Sequence, residues 1–284
     1  MIGHAAQKVG VRVFFIKGPA SGEMGLRRPK VSIDVDAFVS PNDMPALLSE
    51  LSSLGWRTRP SAGELVGFPR HSETLYHDSW PNNIDVHFRF PGMDMPAALC
   101  FDLLWAETQE FPMAGQLIRV PTFELGVVIT ALHALRTPHG LAEQEALRFL
   151  RQLPLDRHRS SILRIAQSSN SLAALRPFLV DAFGPAVVSS WPDPSPDWRN
   201  LTSVREPGAA WVVALSAAPW QKWPGILYSA LIPSKRALLG ADLYADVSLK
   251  GRFIARVGRW RVFFNRIPFL VQNIGSIWHK GKRP

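Results

Sequence analysis

The sequence is poor in the residues and segments that mark several common classes of protein. It has 284 residues but one cysteine, Cys100, which excludes an internal disulfide and a cysteine-based zinc cluster within one chain. It also lacks an unbroken apolar run of the roughly 20 residues that a membrane-spanning helix needs. The most apolar stretch, residues 209–232, is interrupted by Pro219, Lys222 and Pro224. We therefore predict that this stretch forms a core helix or a helix in a surface groove.

The first 18 residues lack the basic region, the continuous apolar region and the small-residue cleavage site of a secretory signal. Together with the single cysteine, this favours a reducing compartment, so the sequence predicts a cytoplasmic protein. Hydrophobic residues make up 46% of the chain and charged residues 19%, which predicts a globular protein of one large or two modest domains.

The positive charge is concentrated near the C-terminal end of the sequence. The net charge is +9, and residues 234–284 contain eleven Lys or Arg but only two Asp, so this segment carries the whole excess. From residue 249 onward, arginines alternate with aromatic and aliphatic residues, which predicts an amphipathic helix. We expect it to dock on the protein's own core, with peripheral contact to an anionic membrane as the alternative. Nucleic acid is an unlikely partner, because residues 1–233 are almost neutral.

Hydrophobic spacing divides the chain into segments of different character. Alternation of apolar and polar residues predicts strands at 11–16, 32–39 and 82–90. Helical spacing predicts a helix that ends at Gly55 and further helices at 123–136, 141–153 and 159–167. These patterns predict three parts: a domain of strands and helices at 1–115, a helical domain at 116–233 and a basic segment at 234–284.

Two aspartates, Asp34 and Asp36, lie two residues apart in the second predicted strand. Residues at that spacing point to the same face of a strand, so their carboxylates repel each other and lose hydration when covered. A cation between them offsets this cost, and replacing either one is expected to relieve the repulsion. Asp85, in the strand at 82–90, can supply a third carboxylate. Such a set suits one or two hard divalent cations.

A tight turn precedes the aspartate pair. Lys17 and Gly18 end the first predicted strand, and Pro19, Ala20 and Ser21 follow. A turn of this kind offers free backbone N–H groups, an ammonium and a hydroxyl, on which a phosphate chain could rest.

The order of these motifs, a Lys-Gly turn, D-V-D in a strand, a helix ending in Gly and an aromatic residue, and then I-D-V-H, resembles the uncharacterised nucleotidyltransferase family of the DNA polymerase β superfamily. The resemblance covers about residues 12–150. It implies an α/β fold with a small mixed sheet and flanking helices, followed by a helical C-terminal part. It also implies that Asp34, Asp36 and Asp85 are catalytic metal ligands and that Lys17, Gly18 and Ser21 contact the nucleotide.

The implied reaction transfers a nucleoside monophosphate from an NTP such as ATP, with Mg²⁺ or Mn²⁺, to a hydroxyl-type acceptor and releases pyrophosphate. The acceptor is a small molecule, a peptide or a protein. A non-catalytic binding protein that keeps the fold and holds a partner through its cleft or basic tail is the alternative. The sequence does not reveal the nucleobase of the NTP, the acceptor or the oligomeric state.

Two histidines near these motifs have more than one interpretation. His87 shares a strand face with Asp85, and a histidine bonded to a neighbour is as consistent with this as one that contacts substrate. His133 lies on an apolar helical stripe, where a hydrogen-bonded core histidine is favoured over a catalytic one.

Overall fold

The computed structural model describes residues 1–28, 32, 34–61, 65–204 and 209–261. The chain divides into two compact units, of which the first comprises Met1–Thr58 and Arg70–Arg205 and the second comprises Arg59–Pro69 and Glu206–Pro284. The boundaries predicted near residues 115 and 233 do not coincide with this division. The three-part division, and the catalytic role that the resemblance implies for residues 1–115, remain predictions.

The first unit contains the strands and most of the described helices. Its strands are β1 (Val13–Ile16), β2 (Asp34–Val39), β3 (Arg57–Thr58), β4 (Ser72–Tyr76), β5 (Asn83–His87), β6 (Thr108–Met113) and β7 (Gln116–Pro121). Its helices are α1 (Ile2–Lys8), α2 (Gly18–Glu23), α3 (Met44–Ser53), α4 (Ala97–Ala106), α5 (Phe123–Leu135), α6 (Leu141–Arg151), α7 (Arg159–Ser168), α8 (Leu172–Phe183) and α9 (Pro196–Ser203).

In the described residues, the main sheet has five strands in the order β1-β2-β5-β4-β3. β2 and β5 are parallel, whereas β1 with β2, β4 with β5 and β3 with β4 are antiparallel. The chain passes from β2 through α3 before it returns to the sheet, since a parallel neighbour requires a crossover connection. This small mixed sheet with flanking helices, followed by further helices, confirms the predicted fold class.

The sheet separates two hydrophobic cores. On one face, Phe38 stacks on Phe14 with ring centroids 5.2 Å apart and on Phe101 with centroids 6.3 Å apart, next to the apolar helix α5. On the other face, Ala37 and Val39 pack with residues of α1 and α3. Alternate residues of β2 therefore enter different cores, as the period of a strand requires.

The start of the predicted second strand lies at the edge of the core. Val35 shares a strand face with the buried Ala37, yet it is exposed. Ile33, predicted to belong to the same strand, lies outside the described residues. The apolar packing of β2 therefore begins after Asp36, and the start of the strand lies at the edge of the core.

Helix α5 lies close to the segment that joins α2 to β2. A Cβ atom at position 126 would lie 2.4 Å from Leu26 Cδ1, so a larger residue than Gly126 would force the buried Leu26 side chain to shift. The Thr122 side chain accepts a hydrogen bond from the Leu125 N–H and caps the first turn of the helix. The first turn of α5 is therefore positioned both by its cap and by its contact with Leu26.

Strands β6 and β7 form a hairpin where the sequence predicted the start of a helical domain. Its loop consists of Ala114 and Gly115, both with positive φ, at 49° and 74°. Two such residues suit a two-residue hairpin turn, because their twist matches that of the flanking strands. The prediction of helix from about residue 115 was wrong for this stretch, and the helical part begins at Phe123.

In the second unit, the helices are α10 (Ala209–Ala217), α11 (Trp223–Leu231) and α12 (Lys235–Ala241), and residues 249–261 are also helical. The apolar stretch predicted as one helix at 209–232 is thus two helices, with Pro219 between them. Among the described residues, none of the helices combines the length and the apolar character needed to cross a bilayer. The part of the predicted amphipathic helix that follows residue 261, which includes Phe263 and Phe264, lies outside the described residues.

Candidate active site

The parallel pairing of β2 and β5 brings two of the predicted carboxylates together. Asp36 lies directly opposite Asp85, and two positions later Phe38 lies opposite His87. One ligand atom from each of Asp36, Asp85 and His87 lies within 4.8 Å of the others. The sheet register therefore assembles a compact group of two carboxylates and one imidazole from two separate strands.

A lysine at the end of another strand, β1, completes this group. Lys17 follows β1, and its Nζ donates a hydrogen bond of 2.8 Å to Asp36 Oδ1. Its backbone has φ 61° and ψ −139°, a conformation that residues with a side chain rarely adopt. Such a backbone costs about 1–3 kcal/mol and persists where the surrounding contacts hold it. The ion pair with Asp36 is one such contact.

Asp36 is a buried carboxylate that accepts two hydrogen bonds on one oxygen. Besides Lys17, His87 Nε2 lies 2.8 Å from Asp36 Oδ1. Burial by itself raises the pKa of Asp36, but the hydrogen bond from His87 and the charge and hydrogen bond of Lys17 outweigh it and lower the pKa to about 2. The cation that the aspartate pattern required is thus, at Asp36, supplied by the chain itself.

His87 has one bonded and one unpartnered ring nitrogen. The residue is 4% exposed, and its Nδ1 is buried without a hydrogen-bond partner among the described residues. Because an ionised carboxylate only accepts hydrogen bonds, Nε2 carries the proton that it donates to Asp36. Of the two interpretations of His87, the structure supports the histidine bonded to a neighbour, and that neighbour is the predicted metal ligand Asp36.

Asp85 is held by a hydroxyl from the next strand. Thr74 lies opposite Asp85 in the antiparallel register of β4 and β5, and its Oγ1 donates a hydrogen bond of 2.6 Å to Asp85 Oδ1. The bond orients the carboxylate without neutralising its charge. Asp85 therefore has a hydroxyl where Asp36 has an ammonium and an imidazole, so the two carboxylates differ in how strongly their charge is already compensated.

The donor atoms of this group fit a divalent cation. Carboxylate oxygens suit Mg²⁺ and Mn²⁺, and an imidazole nitrogen is a ligand for the softer of the two. Asp36, Asp85 and His87 would hold such an ion. The carboxylate of Asp34, at the first position of β2, lies outside this group, and its predicted role as a ligand remains a prediction.

The other residues predicted to contact a nucleotide lie in α2. Gly18 begins the helix with φ 61°, and Ser21 is buried in it. The Ser21 carbonyl accepts a hydrogen bond of 2.8 Å from the Leu26 N–H, which closes the end of the helix. Their predicted contact with a nucleotide also remains a prediction.

A small cleft lies beside Lys17 and His87, on the side of the sheet covered by α5. It has about 10 Å³ of enclosed space, enough for about one water molecule. Its polar lining consists of Lys17, His71, His87, His133 and Arg136. Three of these residues come from strand ends, and His133 and Arg136 come from the last turn of α5 and its C-cap.

Two histidines of the cleft, His71 and His133, have pKa values well below that of free histidine. Burial and the positive charge of Arg136 lower the pKa of His71 to about 3. Burial and the charge of Lys17 lower the pKa of His133 to about 3 as well. Both rings are therefore neutral at physiological pH. For His133, the structure agrees with the favoured interpretation in its burial, but the ring also lines the cleft.

His71 and Arg136 were not identified as site residues from the sequence. His71 precedes β4, and its backbone carbonyl accepts hydrogen bonds from the N–H groups of Phe88 and Arg89. Arg136 follows an apolar helix, where a basic residue is common because it complements the helix dipole. Neither position has a local pattern that would separate it from an ordinary strand start or helix end.

Comparisons with known proteins gave few matches. No protein-family model matches the chain, and a search of curated proteins found no match. Among solved structures, the chain is similar to the solution structure of the antibiotic-resistance factor ANT(2'')-Ia. The identity is 16% and the TM-score 0.41, and the match covers 62% of this chain and 91% of that one.

Two further structures resemble parts of the chain at a similar level. The complex of ANT(2'')-Ia with adenylyl-2''-tobramycin has 13% identity and a TM-score of 0.35 over 62% of this chain and 92% of that one. The lincomycin-bound lincosamide antibiotic adenylyltransferase LnuA has 11% identity and a TM-score of 0.33 over 53% of this chain and 92% of that one. Because these identities and TM-scores are low, the similarities carry no argument about function. We infer the function from the side chains of the chain itself.

Proposed function

We propose that the chain is a metal-dependent nucleotidyltransferase, which moves a nucleoside monophosphate from an NTP to a hydroxyl-type acceptor and releases pyrophosphate. The observation that carries the proposal is the register of β2 and β5, which sets Asp36 beside Asp85 and within reach of His87. Two carboxylates, an imidazole and an adjacent lysine supply what phosphoryl transfer needs, which is a cation site and a positive group for the phosphates.

Asp36, Asp85 and His87 would hold Mg²⁺ or Mn²⁺. When bound, the ion neutralises negative charge on the phosphates and on the departing pyrophosphate. Asp34 at the start of β2, and Gly18 and Ser21 in α2, keep their proposed roles as a further ligand and as nucleotide contacts.

The remaining steps use the side chains of the chain itself. The acceptor oxygen forms a bond to the α-phosphorus, the bond from that phosphorus to the pyrophosphate oxygen breaks, and the acceptor proton passes to the Asp85 carboxylate. Thr74 holds that carboxylate in place through its hydrogen bond. Lys17 leaves Asp36 in this scheme, and its ammonium then binds a phosphate oxygen.

The proposal can be tested with NTPs labelled at the α-phosphate. The protein is incubated with each labelled NTP, Mn²⁺ or Mg²⁺ and a small-molecule extract, and both released pyrophosphate and labelled products are measured. We expect label in a new compound for the wild type and loss of both signals in Asp85→Asn. Asp102→Asn is the matched control, because Asp102 is a carboxylate in an exposed ion pair with Arg12. Equal turnover in both variants contradicts the proposal.

A second candidate is a non-catalytic binding protein with the same fold. The observation that favours it is the Lys17 ammonium on Asp36, which already compensates the carboxylate and competes with a metal ion. Such a protein would bind nucleotide or another anion without turnover. Nucleotide binding by the wild type, with no pyrophosphate released from any NTP in the presence of the extract, would favour this candidate.

A further inference from the structure

Arg136 is a half-buried guanidinium whose side-chain partner is a neutral ring. Its Nη1 lies 3.2 Å from His71 Nε2, and since arginine only donates, the His71 nitrogen accepts. Burial lowers the pKa of Arg136 below its usual value. Within the described residues, no carboxylate oxygen forms an ion pair with this guanidinium. Covering a cation with only neutral hydrogen-bond partners costs free energy, because its lost hydration is not replaced by an opposite charge. The site therefore favours the binding of an anion.

Other arginines of the first unit have a different environment. Arg89 lies 3.0 Å from Asp197, Arg151 lies 2.6 Å from Asp181, and a third arginine forms a comparable pair with Glu107. These guanidiniums are neutralised within the fold. Unlike these three, Arg136 has no carboxylate partner among the described residues, and it lines the cleft beside the proposed metal ligands, so its charge is available to a ligand there.

The charges around the cleft point to the same kind of ligand. Lys17 and Arg136 both line it, and His71 and His133 add neutral rings with N–H donors. The carboxylate in contact with the lining is that of Asp36, which already accepts from Lys17 and His87. The charges of Asp36, Glu143 and Asp85 act on Arg136 only at longer range. Donors and positive charge are therefore in excess.

We propose that Arg136, together with Lys17, forms a subsite that binds the β- and γ-phosphates of the NTP, the part that leaves as pyrophosphate. The identification of the anion rests on the proposed function. The planar guanidinium can donate two parallel hydrogen bonds to phosphate oxygens, a geometry that lysine cannot reproduce. Since the enclosed space holds about one water, binding requires Arg136 or Lys17 to move to another rotamer.

The subsite can be tested by calorimetry with inorganic pyrophosphate and the full chain in EDTA, so that no metal contributes. We expect Arg136→Gln to bind pyrophosphate at least about tenfold more weakly than the wild type, as the loss of a charge-assisted hydrogen bond implies. Arg157→Gln is the matched control: Arg157 also donates to a histidine nitrogen, at 2.9 Å from His158 Nε2, but it is exposed. We expect this control to bind like the wild type.

Two results would overturn the proposal: no measurable binding of pyrophosphate by the wild type, or equal affinities for the wild type and Arg136→Gln. If Arg136→Gln does not fold, Arg136→Lys can be used instead, because it keeps the charge but lacks the planar guanidinium. We expect its affinity for pyrophosphate to be roughly three- to tenfold lower than that of the wild type. An affinity of Arg136→Lys equal to that of the wild type would also contradict it.

A competition experiment separates this subsite from the proposed reaction. An NTP in EDTA should displace pyrophosphate from the wild type, and failure to compete would show that the anion site is not the triphosphate subsite. Arg136-dependent binding of pyrophosphate without any nucleotidyl transfer would leave the anion site in place and reject the enzymatic function. Transfer that persists in Arg136→Gln at wild-type rate and KM would reject the subsite and leave the function in place.

Discussion

Lys17 Nζ lies 2.8 Å from Asp36 Oδ1, and this ion pair joins the end of β1 to the third residue of β2. The Lys17 side chain is 21% exposed and that of Asp36 5%, so the pair is screened less than a surface pair. The chain thus holds its own counter-ion at the carboxylate that a divalent metal would use. This relationship makes several properties of the protein testable.

Asp34→Asn and Asp36→Asn should differ in stability, although repulsion between the two carboxylates alone predicts that both substitutions stabilise the metal-free protein. Asp36→Asn weakens two charge-assisted hydrogen bonds and leaves Lys17 without its anion, so we expect a loss of about 2 kcal/mol in the free energy of unfolding. Asp34→Asn should change it by less than about 0.5 kcal/mol. Urea denaturation in EDTA measures both. Equal effects of the two substitutions would show that the ion pair does not stabilise the fold.

The strained backbone at Lys17 predicts a difference between two substitutions at the same position. Lys17→Ala and Lys17→Gly both remove the ammonium, but only glycine adopts φ 61° without steric cost. We expect Lys17→Gly to be more stable than Lys17→Ala by about 1 kcal/mol in urea denaturation. If the alanine variant is the more stable one, the backbone at this position is not strained in solution.

Stability should fall as the pH decreases below about 6.5. The pKa values of His71 and His133, about 3 in the folded protein, lie below the usual 6.5, so between these values the unfolded chain binds more protons. Protonation therefore favours unfolding, by about 2 kcal/mol for each ring at pH 5.

His133→Gln provides the measurement for this effect. The difference in unfolding free energy between pH 7 and pH 5 should be about 2 kcal/mol smaller in this variant than in the wild type. His139→Gln, at an exposed histidine, should keep the full difference. An unchanged pH dependence in His133→Gln would mean that folding does not lower the pKa of this ring.

Mn²⁺ should stabilise the protein more than Mg²⁺ does, because an imidazole is part of the proposed ligand set. A ligand that binds only the folded state adds about 2.7 kcal/mol at a hundredfold excess over its Kd. Melting curves with each metal should show this increment in the wild type and its loss in Asp85→Asn. His87→Gln should reduce the preference for Mn²⁺ over Mg²⁺. A preference that survives this substitution contradicts the assignment of His87 as a ligand.

The basic segment predicts binding to anionic lipid. In the helical residues 249–261, Phe253 and Trp260 are 62% and 41% exposed, so these two aromatic residues are available to a partner. We expect co-sedimentation with vesicles rich in phosphatidylserine but not with neutral vesicles, and weaker binding at high salt.

Arginine substitutions and a truncation test this segment further. Replacing Arg252 or Arg256 by Gln should weaken vesicle binding roughly fivefold each, as about 1 kcal/mol per charge implies. A chain that ends at Ser248 should remain folded and lose the binding. Aggregation of the truncated chain would instead support the docking that the sequence analysis favoured.

Much of the first unit follows from local patterns in the sequence. Alternation identified β1, β2 and β5, and helical spacing identified α3, α5, α6 and α7 to within a few residues. The hairpin of β6 and β7 was missed, because its strands contain prolines and its Ala-Gly loop is a weaker turn signal than Asn-Gly. Residues 209–232 were predicted as one helix because of their apolar composition, whereas the structure has two helices with Pro219 between them.

For the site, the sequence by itself determined which residue types are present and which strand faces they share. It placed Asp36 and Asp85 on strands, and it identified the Lys-Gly turn, since these depend on short-range geometry. The tertiary structure decided that Lys17 pairs with Asp36, that His87 bonds the same oxygen and that Arg136 meets His71. Those contacts depend on strand order, register and the placement of α5, which are set by the packing of two cores and leave no mark in local spacing.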